Sequence, residues 1–153
     1  MTKEVFGPPV ELPNGNFEVI YRLVLENTGT VDLVNLQIAE DLETHLGANV
    51  FVGVLTAPFV SVAPGDPASI APSPGTFDGG IGGSTNTNIF DGTSGQLAPG
   101  DFIEVLFSIE VDPNANGAGT TLENQVTATA DDESGNGVTV SYTHLTLPTN
   151  REV

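Results

Sequence analysis

The chain has 153 residues, with 20 Asp and Glu against 3 Lys and Arg, a net charge of -17, and neither Cys nor Trp. A length of this order argues for one domain. So acidic a chain repels phosphate backbones and anionic membrane surfaces, which excludes nucleic-acid binding through a basic patch. The lack of Cys excludes disulfides and thiolate chemistry.

Glu4 to Val10 reads as a strand that Pro8 and Pro9 confine to a sheet edge. Asn14-Gly15 marks a hairpin turn with positive φ at both central positions. From Phe17 to Leu25 the apolar Phe17, Val19, Tyr21, Leu23 and Leu25 alternate with Glu18 and Arg22, the two-residue period of a half-buried strand. Val34, Leu36 and Ile38 repeat the pattern after Asn27-Thr28-Gly29, and Leu42 to Leu46 allows one helical turn at most. Shorter strands are expected at Val50 to Leu55 and Phe59 to Val62. Ala63 to Gln96 is rich in Gly, Pro, Ser, Thr and Asn; a structureless loop that long is unusual, so short strands are expected near Ser69 to Ala71 and Thr87 to Phe90. Pro99-Gly100-Asp101 introduces Ile103 to Val111, and Leu122 to Ala130 faces Leu122, Val126, Ala128 and Ala130 inward. Strands punctuated by turns and lacking crossover helices predict an all-β fold: an antiparallel Greek-key β-sandwich of about seven to nine strands. No run of apolar residues reaches the length of a transmembrane helix.

Several of these motifs, in this order, resemble a known family. Tyr21 to Gly29, then Leu33, Leu36, Ile38 and Asp41-Leu42, look like the opening of the bacterial conserved-repeat family called domain of unknown function eleven. Leu97-Ala98-Pro99-Gly100-Asp101 and Asn124-Gln125-Val126-Thr127-Ala128 resemble its later signature. The resemblance covers Lys3 to Val140 and implies an immunoglobulin-like sandwich, repeated in tandem as a spacer or adhesive module of large bacterial surface or secreted proteins. Asn27, Thr28, Gly29, Pro99 and Gly100 would then be structural, with Asn27 and Gly29 suited to left-handed backbone. Residues 1–140 form the single repeat domain on this reading. Val140 to Thr149 instead resembles the translation of a sequencing-library adapter, so residues 141–153 are set apart as a non-native tail. Met1 to Val10 lacks the basic and apolar stretches of a signal peptide, and with such a tail the segment reads as an internal piece of a longer chain.

Candidate chemistry is sparse. His45 and His144 are the two His residues, and no Gly-x-Ser-x-Gly elbow is present, so no hydrolytic triad is expected. Gly79 to Thr85 lacks the Lys of a phosphate-binding loop. Calcium, a hard ion, suits the carboxylates of Asp131, Asp132 and Glu133, although solvated acidic loops are the simpler reading. Some Gram-positive immunoglobulin-like adhesin modules carry a Lys–Asn isopeptide bond. Here the pair would be Lys3, the single Lys, and Asn124, with Asp41 as the acid; a solvent-facing Lys3 is the simpler expectation.

The expectation is a noncatalytic structural repeat, extracellular or at the cell surface. Its partners are neighbouring repeats of the same chain, and it uses no cofactor unless calcium. The alternative is a ligand- or carbohydrate-binding module using loop 63–96, with Phe77 or Phe90 as its aromatic platform.

Overall fold

The computed structural model describes residues 1–63, 68–115 and 121–148. Among these described residues nine strands run in chain order: β1 (Thr2–Val5), β2 (Val10–Glu11), β3 (Phe17–Glu26), β4 (Leu33–Ala39), β5 (Phe51–Val62), β6 (Gln96–Leu97), β7 (Phe102–Val111), β8 (Thr121–Asp132) and β9 (Gly137–Pro148). One sheet has the order β1-β3-β7-β5, with β2 also pairing β3; the other has the order β6-β4-β8-β9. All pairings are antiparallel, and each connection from β3 through to β8 passes from one sheet to the other. The molecule is an immunoglobulin-like antiparallel β-sandwich.

The two-residue period decides which face is buried. Val19, Tyr21, Leu23 and Leu25 of β3 lie against Ile103, Val105, Phe107, Ile109 and Val111 of β7 in the core. Leu36 and Ile38 of β4 and Val126, Ala128 and Ala130 of β8 close it from the opposite sheet. The Tyr21 and Phe107 rings meet at 5.5 Å between centroids, and Phe77 stacks edge-on against Phe107 at 5.4 Å. On the outer face Arg22 bridges Glu4 and Glu104 across three strands, an exposed arrangement worth little to stability.

The connections depart from expectation in two places. The β2–β3 turn has positive φ at Gly15 alone; Leu12 accepts from the Gly15 N–H, so Asn14 does not adopt the mirror-image turn conformation. Among the described residues the left-handed non-glycine residue is Asn35 (φ 54°), where the β4–β8 register shifts, and neither Asn27 nor Gly29 is left-handed.

Leu42–Leu46 forms a single-turn helix, α1. The long connection before β6 is pinned to the sandwich through its backbone: Ile89 N donates to Ile38 O at 2.8 Å, and Glu40 N donates to Thr87 O at 2.8 Å. Bridges at Ile70↔Gln96, Pro74↔Phe90 and Phe77↔Thr87 fall within or beside the two short strands expected there. Gly75 is required because a Cβ would strike the carbonyl oxygens of Phe90 and Asn88. Residues Ser141 to Pro148, read from sequence as foreign to the domain, continue β9 paired with β8, in register as far as Leu122↔Thr146 and, after a register shift, to Thr121↔Pro148, while residues 149–153 lie outside the described residues.

Candidate functional site

Lys3 is buried, contrary to the solvent-facing expectation. The alternation of β1 turns it inward between exposed Thr2 and Glu4, opposite Leu23. Its side chain is fully enclosed, and Nζ lies 4.5 Å from the centroid of the buried Tyr21 ring. It donates to Oε1 of Glu40, whose side chain is likewise enclosed. The same Oε1 accepts from Nδ2 of Asn124 at 2.7 Å, and Asn124 is 0% exposed. Two acceptors in this cluster have no hydrogen-bond partner: Glu40 Oε2 and Asn124 Oδ1.

Each residue arrives there by strand phase. Leu36, Ile38 and Glu40 are successive inward positions of β4 and the residue that follows it; Asn124, Val126 and Ala128 are successive inward positions of β8. The sequence expectation of Asp41 as the acid is therefore corrected: the acid between Lys3 and Asn124 is Glu40. Asp41, one residue out of phase, caps α1, accepting from Thr44 N at 3.0 Å and Thr44 Oγ1 at 2.8 Å.

Burying a Lys ammonium is costly unless a counter-charge compensates. Burial pulls the Lys3 amine below its ordinary proton affinity, and the charge and hydrogen bond of Glu40 work in the opposite direction. The cluster thus presents an amine, a carboxyl group and a carboxamide in one dry place, bridging the two sheets.

A second buried polar centre is built on Asn27. Its Nδ2 donates to Val31 O and Leu97 O, each at 2.8 Å, and its Oδ1 accepts from Gly29 N at 3.0 Å. Its backbone N donates to Asp101 O and its backbone O accepts from Gly100 N. The two motifs Asn27-Thr28-Gly29 and Pro99-Gly100-Asp101 are thereby fastened to each other. Side-chain hydrogen bonding, not left-handed backbone, is what Asn27 supplies.

The other sequence candidates are dispersed. Asp131 accepts from Asn35 Nδ2 at 3.0 Å, while Asp132 organises the β8–β9 turn through Ser134 N, Asn136 N and Asn136 Nδ2. Among the described residues no three His, Asp or Glu side chains gather as ligands for one metal ion, so Asp131, Asp132 and Glu133 are not brought together. Phe90 is 0% exposed, which removes it as an aromatic platform of the long loop, while Phe77 is partly buried and packs on the core. His45, on α1, is half-buried.

No protein-family model and no curated protein matches the chain. Among solved structures it is similar to the collagen-binding domain from a Staphylococcus aureus adhesin, at 12% identity over 90% of this chain and 93% of that one, with a TM-score of 0.44. It is also similar to part of a family 123 glycoside hydrolase from Clostridium perfringens, at 10% identity over 87% of this chain and 21% of that one, with a TM-score of 0.31. At these identities no residue role carries over from either.

Proposed function

We infer that this domain is a noncatalytic structural spacer repeat of a bacterial cell-surface or secreted adhesin-like protein. The observation that carries the reading is the path of the chain. Met1, Leu25, Ala130, Val138 and Val140 line one cleft at one end of the sandwich, and β9 runs away from that end along β8, from Gly137 opposite Asp131 to Val140 opposite Ala128 and onward. The chain therefore enters at one end and β9 leaves at the other, so tension runs along the strands. Ladder hydrogen bonds lie across the strands, and lengthwise tension loads many of them together instead of one after another. The acidic exterior supports the same reading, because like-charged neighbouring copies stay soluble and apart. The motif resemblance to a tandem surface repeat adds to it.

Single-molecule pulling tests this. Handles attached before Thr2 and after Pro148 are expected to require several times the force needed when β1 is peeled sideways from β3. Equal forces in the two geometries overturn the spacer reading.

A further inference from the structure

Three observations set Lys3 apart. It is the single Lys of the chain, and an acidic protein with a water-facing use for every cation encloses it completely. Its ammonium and the Asn124 amide converge on one oxygen of Glu40, which places the amine beside the carboxamide nitrogen. A plain buried ion pair needs no asparagine and leaves two acceptors, Glu40 Oε2 and Asn124 Oδ1, without donors.

We propose that Lys3 and Asn124 join in an intramolecular amide bond, formed inside the folded domain with Glu40 carrying the protons. A proton passes from the Lys3 ammonium to the Glu40 carboxylate, leaving a neutral amine and a neutral acid and removing two charges from the interior. The Nζ electron pair adds to Asn124 Cγ, forming the new C–N bond and moving charge onto Oδ1. Glu40 then returns a proton to Nδ2, the Cγ–Nδ2 bond breaks, and ammonia leaves. A second proton is released by the former Nζ; it stays on Glu40 or departs with ammonia as ammonium. Amine plus carboxamide gives secondary amide plus ammonia, so no oxidant or outside reactant is required.

The fold supplies what this reaction lacks in water. Free amines and carboxamides react very slowly, but groups held in contact reach effective concentrations of about 10⁵ M or more. Glu40 touches both nitrogens that exchange protons, the geometry a general acid–base group needs. The Tyr21 ring beneath Nζ holds the amine in place and excludes water. The bond would join β1 of one sheet to β8 of the other. It stands independently of the spacer reading, since it depends on the cluster and not on the load.

Intact-mass measurement of the folded full chain decides it, with the mass lower by one ammonia as the expected result. After denaturation and trypsin digestion, the peptide ending at Arg22 is expected to remain attached to the one beginning at Leu23. Glu40→Gln, shown to be folded by circular dichroism, is expected to keep the full mass. If that variant does not fold, wild-type chain recovered directly into urea from inclusion bodies, before it has folded, should carry its full mass and lose ammonia only on refolding. A folded wild-type chain that retains its full mass overturns the bond, as does an ammonia loss that maps to a succinimide at Asn14-Gly15. Bond formation in Glu40→Gln at the wild-type rate overturns the role of Glu40.

Discussion

Two buried asparagines, Asn27 and Asn124, sit in the same sandwich under opposite conditions. Both side-chain donors and the acceptor of Asn27 are engaged, with backbone groups that have nowhere else to go. Asn124 shares a carboxylate oxygen with an amine and leaves its own carbonyl oxygen empty. A saturated polar centre can only hold the fold together, whereas an unsaturated one beside a nucleophile retains chemistry. The contrast also separates two meanings of a buried polar residue: one fastens turns, the other stores reactants.

The largest effect expected from breaking this contrast is at Glu40. Glu40→Ala leaves the Lys3 ammonium enclosed without a counter-charge and should cost about 3–5 kcal/mol in urea unfolding at pH 7. A loss below about 1 kcal/mol would mean that Lys3 does not depend on this pair. Asn27→Ala comes next, at about 2–4 kcal/mol, because three hydrogen bonds are lost and Leu97 O and Val31 O lose their donor. Its intact mass should match the wild-type pattern, whereas Glu40→Ala should alter both stability and mass. The combined Lys3→Met, Glu40→Leu, Asn124→Leu variant should be more stable than Glu40→Ala, since apolar groups of similar volume commonly replace a buried ion pair at little cost, but less stable than a wild-type chain carrying the cross-link. Failure to exceed Glu40→Ala would show that the cluster contributes shape the apolar set cannot match.

The smallest effect concerns carboxylates outside both centres. Asp78 is partly desolvated, which alone raises its pKa, but hydrogen bonds from Ser84, Asn86 and Gly80 outweigh this and hold it below the ordinary value. Asp91 is lowered by Thr93 and Ser94, and Asp132 by Asn136 and Ser134. A depressed folded-state pKa means their contribution is fully present above about pH 4 and is lost as pH falls through the folded-state values. Thermal melts should therefore show a smaller decline between about pH 4 and pH 2 for Asp132→Asn than for the wild-type chain. Identical declines would remove Asp132 from the acid response.

Much of the frame was legible because the long strands carry unbroken alternation: Phe17 to Leu25 and Ile103 to Val111 both lie within the observed strands. The single turn at Leu42 and the pairing near Thr87 to Phe90 were also readable, from run length and spacing. The site was legible only in part. Lys3 and Asn124 could be paired from their places on an early and a late strand, but charged residues default to solvent, so the burial of Lys3 ran against the usual rule. The acid was missed by one position. Continuing the phase Leu36, Ile38 by one more step reaches Glu40, yet the apolar run stops there and Asp41 carries the stronger motif. Asn27 was assigned to backbone conformation because its partners, Leu97 and Gly100, lie some seventy residues away, and spacing along the chain does not report them.

Strand β5 carries a further consequence. It forms one margin of its sheet, pairing among the described residues with β7 alone, and it exposes Val52, Leu55 and Phe59, the last at 67%. A margin so greasy invites another chain to extend the sheet and seed aggregates. Its register against β7 shifts between Phe51 and Gly53, between Val54 and Thr56, and between Thr56 and Phe59, and Pro58 has no N–H to offer a newcomer. A straight incoming strand finds no continuous row of donors and acceptors to match. Copies of the domain at high local concentration can then brush past each other without fusing into a common sheet.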